Sequence, residues 1–151
     1  MINIVVLTPA FYAKHVLDSE ILCKQQRPYL TLIIEAFGKK FAVPFRTNAH
    51  KPKKRKGVPQ SVYFFGSSGR SELSNEQKVP ALDFCKAVVI VDEDVGLPAS
   101  IDKREFQELN SNYTRIVEMF KRYYEFYIAS KDDANLKDLP EIKYSALQYF
   151  V

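Results

Sequence analysis

The chain has no tryptophan and only two cysteines and two histidines in 151 residues. Cys23 and Cys85 stand far apart, and neither a CxxC nor a Cys/His ligand spacing occurs, which argues against a zinc site and a disulfide framework. The usage fits a reducing cytoplasm, and Cys85, opening an apolar run, reads as a buried small hydrophobe. No apolar run reaches membrane-spanning length, and the first residues, MINIVVLTPAF, carry no basic segment of the kind that opens a signal peptide. Acidic residues are scarce in one region: residues 1–60 hold eleven Lys or Arg against three Asp or Glu, whereas residues 61–151 hold eleven against fifteen. The first part is therefore at +8 and the second at −4, which sum to the net +4 of the chain. No internal repeat and no linker breaks the sequence, whose length suits one domain, 1–151, able to bury its own core.

What is present is mostly ring and charge. Hydrophobic residues make up 46% and aromatic residues 13%, with eleven Phe and nine Tyr, so the chain folds as a globule around mid-sized rings. Five of the six residues from Lys51 to Lys56 are basic: Lys51, Lys53, Lys54, Arg55 and Lys56. That cluster, broken by Pro52, forms no amphipathic helix and reads as a polyanion binder, nucleic acid before membrane.

Local signals order the rest. Ile2–Leu7 reads as a strand, and Thr8-Pro9 as the start of a short helix from Ala10 to about Leu17. Asp18–Gln26 reads as a loop or broken helix. Tyr29–Ala36 and Lys40–Arg46 form a hairpin turning at Phe37-Gly38-Lys39, with Pro44 implying an edge or bulge just before Arg46-Thr47. Val62–Phe65 is a short strand, Gly66–Lys78 a surface loop, and Lys86–Asp92 a strand closed by acidic residues that read as a solvated strand end. Asp102 caps a long helix to about Ser130, whose Phe106, Leu109, Tyr113, Ile116, Val117, Phe120, Tyr124 and Tyr127 form a core-facing stripe. A second short helix spans about Leu139–Phe150. The fold class is α+β: an antiparallel meander, strongly bent or closed as a small barrel, with inserted helices.

The chemistry concentrates at the end of the hairpin. Thr47 offers a hydroxyl for a phosphate oxygen or a 2′-OH, and Arg46 a planar fork for phosphate. His50 can pass a proton near neutral pH, and Lys51 supplies fixed positive charge. Tyr29, at the start of the first hairpin strand, is either core or a hydroxyl aimed at the same rim. His15 reads as a surface or packing residue. No paired carboxylates accompany the cluster, so two-metal chemistry has no support. The set suits RNA cleavage by the RNA's own 2′-OH, leaving a 2′,3′-cyclic phosphate and a 5′-hydroxyl, with no metal and no cofactor. The bland alternative is that Ser, Thr and Asn gather at strand ends because they make turns.

Arg27-Pro28-Tyr29, the strand after it, Gly38-Lys39-Lys40-Phe41 and Val43-Pro44-Phe45-Arg46-Thr47-Asn48 resemble the signature block of the ToxN/AbiQ family, the endoribonuclease toxins of type III toxin–antitoxin systems. Leu82-Asp83-Phe84-Cys85-Lys86-Ala87-Val88-Val89-Ile90 is similar to a segment of the TenpN and CptN branches. The resemblance covers most of the chain, specific around 27–50 and loose after Asp102. It implies an SH3-like barrel with a MazF-like core, metal-independent cleavage of adenine-rich cellular or phage mRNA, and a bacterial, cytoplasmic role in phage defence. It also implies a repeat antitoxin RNA, cut into pseudoknots that hold the toxin in a closed protein–RNA assembly, with no protein antitoxin and no membrane.

Residue by residue, Thr47 falls on the family's key hydroxyl position and Tyr29 on its aromatic. Arg46 replaces a hydroxyl residue and Asn48 a proline. The family lysine has no strict match, so His50 or Lys51 takes its place. Asn48, Lys53, Lys54, Arg55, Lys56, Lys39 and Lys40 are the expected RNA contacts. Two other readings stand: a non-catalytic small-barrel RNA-binding module, and a protein-interaction domain whose basic run is incidental. A MazF-like toxin with a protein antitoxin remains open within the enzyme class.

Overall fold

The computed structural model describes residues 1–23, 29–50, 54–66 and 78–151. Thr8 Oγ1 accepts the amide of Phe11, 3.2 Å away, and Pro9 opens the helix after it, so the predicted capping pair sets the first turn of α1. In chain order the elements are β1 (Ile4–Leu7), α1 (Pro9–Lys14), β2 (Leu30–Ala36), β3 (Lys39–His50), β4 (Val62–Phe64), β5 (Lys78–Asp83), β6 (Val88–Ile90), β7 (Val95–Pro98), α2 (Lys103–Ser130) and α3 (Pro140–Lys143). Single 3₁₀ turns lie at Phe84–Lys86, Asp92–Asp94 and Ala146–Tyr149. Among the described residues, no helix is long and apolar enough to cross a membrane.

The seven strands form one antiparallel sheet in the order β4-β5-β3-β2-β1-β7, with β6 also on β3. The order is not a plain meander, because β3 is central. The expected closure into a barrel is not seen: among the described residues β4 and β7 are the two ends of an open sheet. On one edge β3 pairs with β2, from Ala36↔Lys39 to Thr31↔Pro44. On the other it pairs first with β6, Lys40↔Ile90 to Ala42↔Val88, and then with β5, from Phe45↔Leu82 onward. Three residues of β3 thus span six of its partner, and the surplus forms the 3₁₀ turn Phe84–Lys86.

Alternation along the strands buries both faces. Leu32, Ile34, Phe41 and Val43 join Leu109, Ile116, Phe120, Tyr124 and Tyr127 of α2 in one cluster, while Ile33 and Ala42 face Val5, Leu7, Phe11, Val88 and Ile90 in another. Asp102 caps α2 by accepting the amides of Arg104 and Glu105, as its sequence position predicts. Phe106 departs from the expected stripe. It is 42% exposed, and Glu105 is the buried side chain of that turn. Tyr123, outside the stripe, is fully buried because the C-terminal segment covers that side of α2, and its hydroxyl donates to the Glu141 carbonyl at 2.7 Å.

Two strands were not expected. β5 occupies the end of the predicted 66–78 loop and continues to Asp83, and β7 carries Gly and Pro in four residues. Gly96 explains the second: a Cβ there would lie 2.6 Å from the Val6 carbonyl oxygen, so glycine permits the close approach of β7 to β1. The last predicted helix divides into α3 and the 3₁₀ turn because Ser145 caps anew, accepting the Leu147 amide at 3.2 Å. The acidic run after β6 is not a free strand end. Asp92 pairs with Lys40 at 2.6 Å, and buried Asp94 pairs with Lys14 at 3.1 Å.

Candidate functional site

β3 runs past Arg46, where the hairpin was expected to end, to His50. Its pairing with β5 goes from Arg46↔Ala81 to Ala49↔Val79, so Thr47 and Asn48 together oppose Pro80. Two residues against one is a β-bulge, which bends a strand and re-aims its side chains. The bulge therefore follows Arg46 rather than preceding it, and it lies opposite Pro80 rather than at Pro44. Thr47 is exposed on it.

Arg46 stands beside Thr47 and is held from below. Its Nη1 donates to Asp83 Oδ2 at 3.0 Å, with Asp83 almost wholly buried at the end of β5. Burial pushes the Asp83 carboxyl above its ordinary range, and Arg46 and then Lys86 oppose that shift. The arginine keeps about a third of its side chain exposed (34%), so it is fixed on one side and open on the other. A guanidinium has five N–H donors and can serve a carboxylate and a phosphate at once.

This carboxyl gives a pH signature. A group whose folded pKa is raised binds a proton in the folded chain before the unfolded chain does, so its contribution to stability grows as pH falls toward the unfolded value and is lost as pH rises through the folded one. Asp83→Asn removes that slope. The stability difference, native minus variant, is expected to move in favour of the native chain between neutral pH and about pH 4. Urea unfolding of both proteins across that range measures it. The opposite slope would mean that the pairing with Arg46, and not burial, governs Asp83.

Tyr29 lines a narrow cleft with Tyr12, Thr31, Pro44, Lys86 and Val88. It is half-buried, and Pro44, which lines the same cleft, lies two residues before Arg46 on β3. Burial, with Cys23 and Tyr29 nearby, raises the Tyr12 hydroxyl to about 12, so it stays protonated. Lys86 Nζ donates to Glu20 at 2.7 Å and to the Tyr144 carbonyl at 2.8 Å, tying the cleft to the C-terminal segment.

The basic run is partly anchored. Arg55 Nη1 donates to both oxygens of Glu141, at 2.6 and 2.8 Å, and Glu141 is 6% exposed. Lys54 and Lys56 on either side of Arg55 are exposed. Lys51 and Lys53 lie outside the described residues, as do the side chains of Asn48 and His50. Lys39 and Lys40 sit at the other end of β3, eight and seven residues before Thr47, roughly 25 Å along an extended strand. Lys40 is engaged with Glu35 and Asp92, and Lys39 is exposed. The fold thus gathers Arg46 and Thr47 at one rim and keeps the hairpin-turn lysines away from it.

His15 is a packing residue. Its ring lies 4.7 Å from that of Phe11 and 5.1 Å from that of Phe150, and Nδ1 is 2.7 Å from Asp18. The Cys85 thiol is pushed up to about 12 by burial and then by Asp83. Among the described residues no group of His, Cys, Asp and Glu could hold a metal ion. Asp83 and Glu141, which hold the two arginines, were not singled out from sequence. They lie 37 and 86 residues from their partners, and a buried carboxylate carries no local signal.

No protein-family model matches the chain, and no curated protein matches it. Solved structures do. The chain superposes with a TM-score of 0.62 on AbiQ, a lactococcal anti-phage endoribonuclease belonging to the type-III toxin-antitoxin system, at 13% identity over 96% of this chain and 90% of that one. A structure concerned with selective toxin inhibition by a non-coding RNA pseudoknot in bacterial type III toxin–antitoxin systems matches at 0.60 and 13% identity, over 98% of this chain and 97% of that one. A third, on a processed non-coding RNA that regulates a bacterial antiviral system, matches at 0.57 and 17% identity, over 95% and 97%. At these identities the likeness establishes a shared fold, end to end.

Proposed function

We propose that the chain is an endoribonuclease toxin of a type III toxin–antitoxin system. The observation that carries this reading is the bulge on β3, which leaves Thr47 exposed beside an arginine already held by a buried carboxylate. The fold shared with AbiQ over nearly the whole chain supports it, as does the +8 charge of residues 1–60.

In this reading the 2′-OH of the substrate attacks the adjacent phosphorus. The bond to the leaving 5′-oxygen breaks, giving a 2′,3′-cyclic phosphate and a 5′-hydroxyl. Arg46 faces the phosphate with the donors not given to Asp83. Thr47 hydrogen-bonds a phosphate oxygen or the 2′-OH, and His50 and Lys51 supply proton transfer and positive charge. Tyr29 borders the same rim. Asn48 and the basic residues Lys53, Lys54 and Lys56 contact RNA, while Arg55 acts through Glu141. No metal enters the scheme, because the substrate carries its own nucleophile. The partners are a pseudoknot antitoxin RNA in a closed assembly and mRNA as substrate. The location is the bacterial cytoplasm. Residues 1–151 act as one domain, and the bent sheet would be the counterpart of an SH3-like, MazF-like core.

The test is cleavage of a generic mRNA by purified, RNA-free protein in EDTA, with mapping of the ends. Cyclic-phosphate and 5′-hydroxyl ends are expected. Folded protein that binds RNA without cutting it would overturn the enzyme reading in favour of an RNA-binding module.

A further inference from the structure

Building on the RNA reading, we infer that Tyr144, in the C-terminal segment, is a stacking platform for an unpaired RNA base at the edge of the basic surface.

Tyr144 is 46% exposed, and no described aromatic ring packs against it. Of the other exposed rings described, Phe37 stacks on Tyr124 at 4.8 Å and Phe106 lies on the first turn of α2. Tyr144 instead has a cation, with Lys143 Nζ 5.5 Å from the ring centre. A tyrosine with a lysine at its ring leaves the opposite face for a base and sets positive charge where the base's phosphate would follow.

The ring is placed in advance. The Tyr144 amide donates to the Pro140 carbonyl at 3.1 Å, and its carbonyl accepts Lys86 Nζ at 2.8 Å. Little backbone freedom is left to lose when a base docks. Glu141 lies three residues earlier, in α3, whose C-cap is Tyr144. Glu141 is the residue that Arg55 grips with both bonds. The anchor of the basic run thus lies within three residues of the exposed ring in the chain, and Lys54 and Lys56 are exposed on either side of Arg55. Lys86, which lines the cleft with Tyr29 and Pro44, donates to the Tyr144 backbone carbonyl, so the segment that carries the ring is tied to that cleft. An RNA strand following positive charge from the rim toward Lys54 and Lys56 meets the Tyr144 ring next to it. The charge selects a polyanion, and the flat open face selects an unpaired base within it.

The experiment is equilibrium binding of a short adenine-rich 2′-O-methyl oligonucleotide, which cannot be cut, to the native chain and to Tyr144→Ala, Tyr144→Phe and Lys143→Ala across a salt series. Tyr144→Ala is expected to weaken binding about 5- to 100-fold with an unchanged salt slope, since no charge is lost. Tyr144→Phe keeps the ring and should bind within about threefold of native. Lys143→Ala should reduce the salt slope by about 0.7. An oligonucleotide with abasic sites should bind native and Tyr144→Ala alike. Native affinity in a folded Tyr144→Ala, with RNA bound and cut as before, would assign the ring to a protein contact and overturn this inference alone. A native chain with no affinity for RNA would remove the RNA reading with it.

Discussion

Thr47→Ala should lower the single-turnover rate of RNA cleavage by about 10²- to 10³-fold, the usual cost of removing one hydrogen-bonding group from the charge that develops in an acyl or phosphoryl transition state. The position explains the size. Thr47 is exposed on a bulge that opposes two residues to Pro80, so its hydroxyl is presented outward by the backbone. Beside it Arg46 is already held by Asp83 and does not have to be ordered when substrate arrives. Removing a hydroxyl from an exposed bulge costs the fold little, so the loss should fall on chemistry. Thr47→Ser keeps the hydroxyl and should keep most of the rate. Affinity for an uncleavable oligonucleotide should be unchanged in both, because an interaction made only in the transition state lowers turnover and not binding. His50→Ala should likewise lower the rate of turnover while leaving affinity for the uncleavable oligonucleotide unchanged. Native rates in both variants would keep the activity and move the site away from residues 46–51.

The parts of this fold that follow from neighbouring residues were legible. Thr8-Pro9 caps α1 and Asp102 caps α2, and the hairpin turns at Phe37-Gly38, where both residues have positive φ. The α+β class and antiparallel pairing also follow from local patterns. What could not be read is set by contacts far along the chain. β5 and β7 carry Pro80, Gly96 and Pro98, which speak against strands until a neighbouring strand supplies the ladder. The bulge belongs to Arg46–Ala49 because β5 slips there, and no feature of β3 alone places it. The same holds for function. Arg46 and Arg55 both read as cations suited to RNA, but that each is gripped by a buried carboxylate depends on Asp83 and Glu141. Those pairs fix the orientation of two charges, and the Arg55–Glu141 pair brings the C-terminal segment against the basic run, which the sequence pattern had not linked to it.

Phe120→Ala is expected to cost about 3–5 kcal/mol of stability, a large fraction of the 5–15 kcal/mol typical of a domain. Phe120 has no exposed surface, and its ring meets Phe41 of β3 edge-on at 4.9 Å and Phe84 at 5.7 Å. Phe84 opens the 3₁₀ turn directly after Asp83, and Phe41 lies five residues before Arg46 on the same strand. One ring on α2 therefore supports both strands that deliver the arginine and its carboxylate. Urea unfolding should show a lower midpoint with an unchanged slope, since the variant unfolds to the same exposed chain. Phe120→Leu fills much of the volume and should cost less. Because the rings touch, Phe84→Ala and Phe120→Ala should not add: a double-mutant cycle is expected to show about 0.5–3 kcal/mol of coupling. Strict additivity would mean that the two rings stabilise separate regions, and that the 3₁₀ turn holding Asp83 draws its rigidity from β4 and β5 rather than from the long helix.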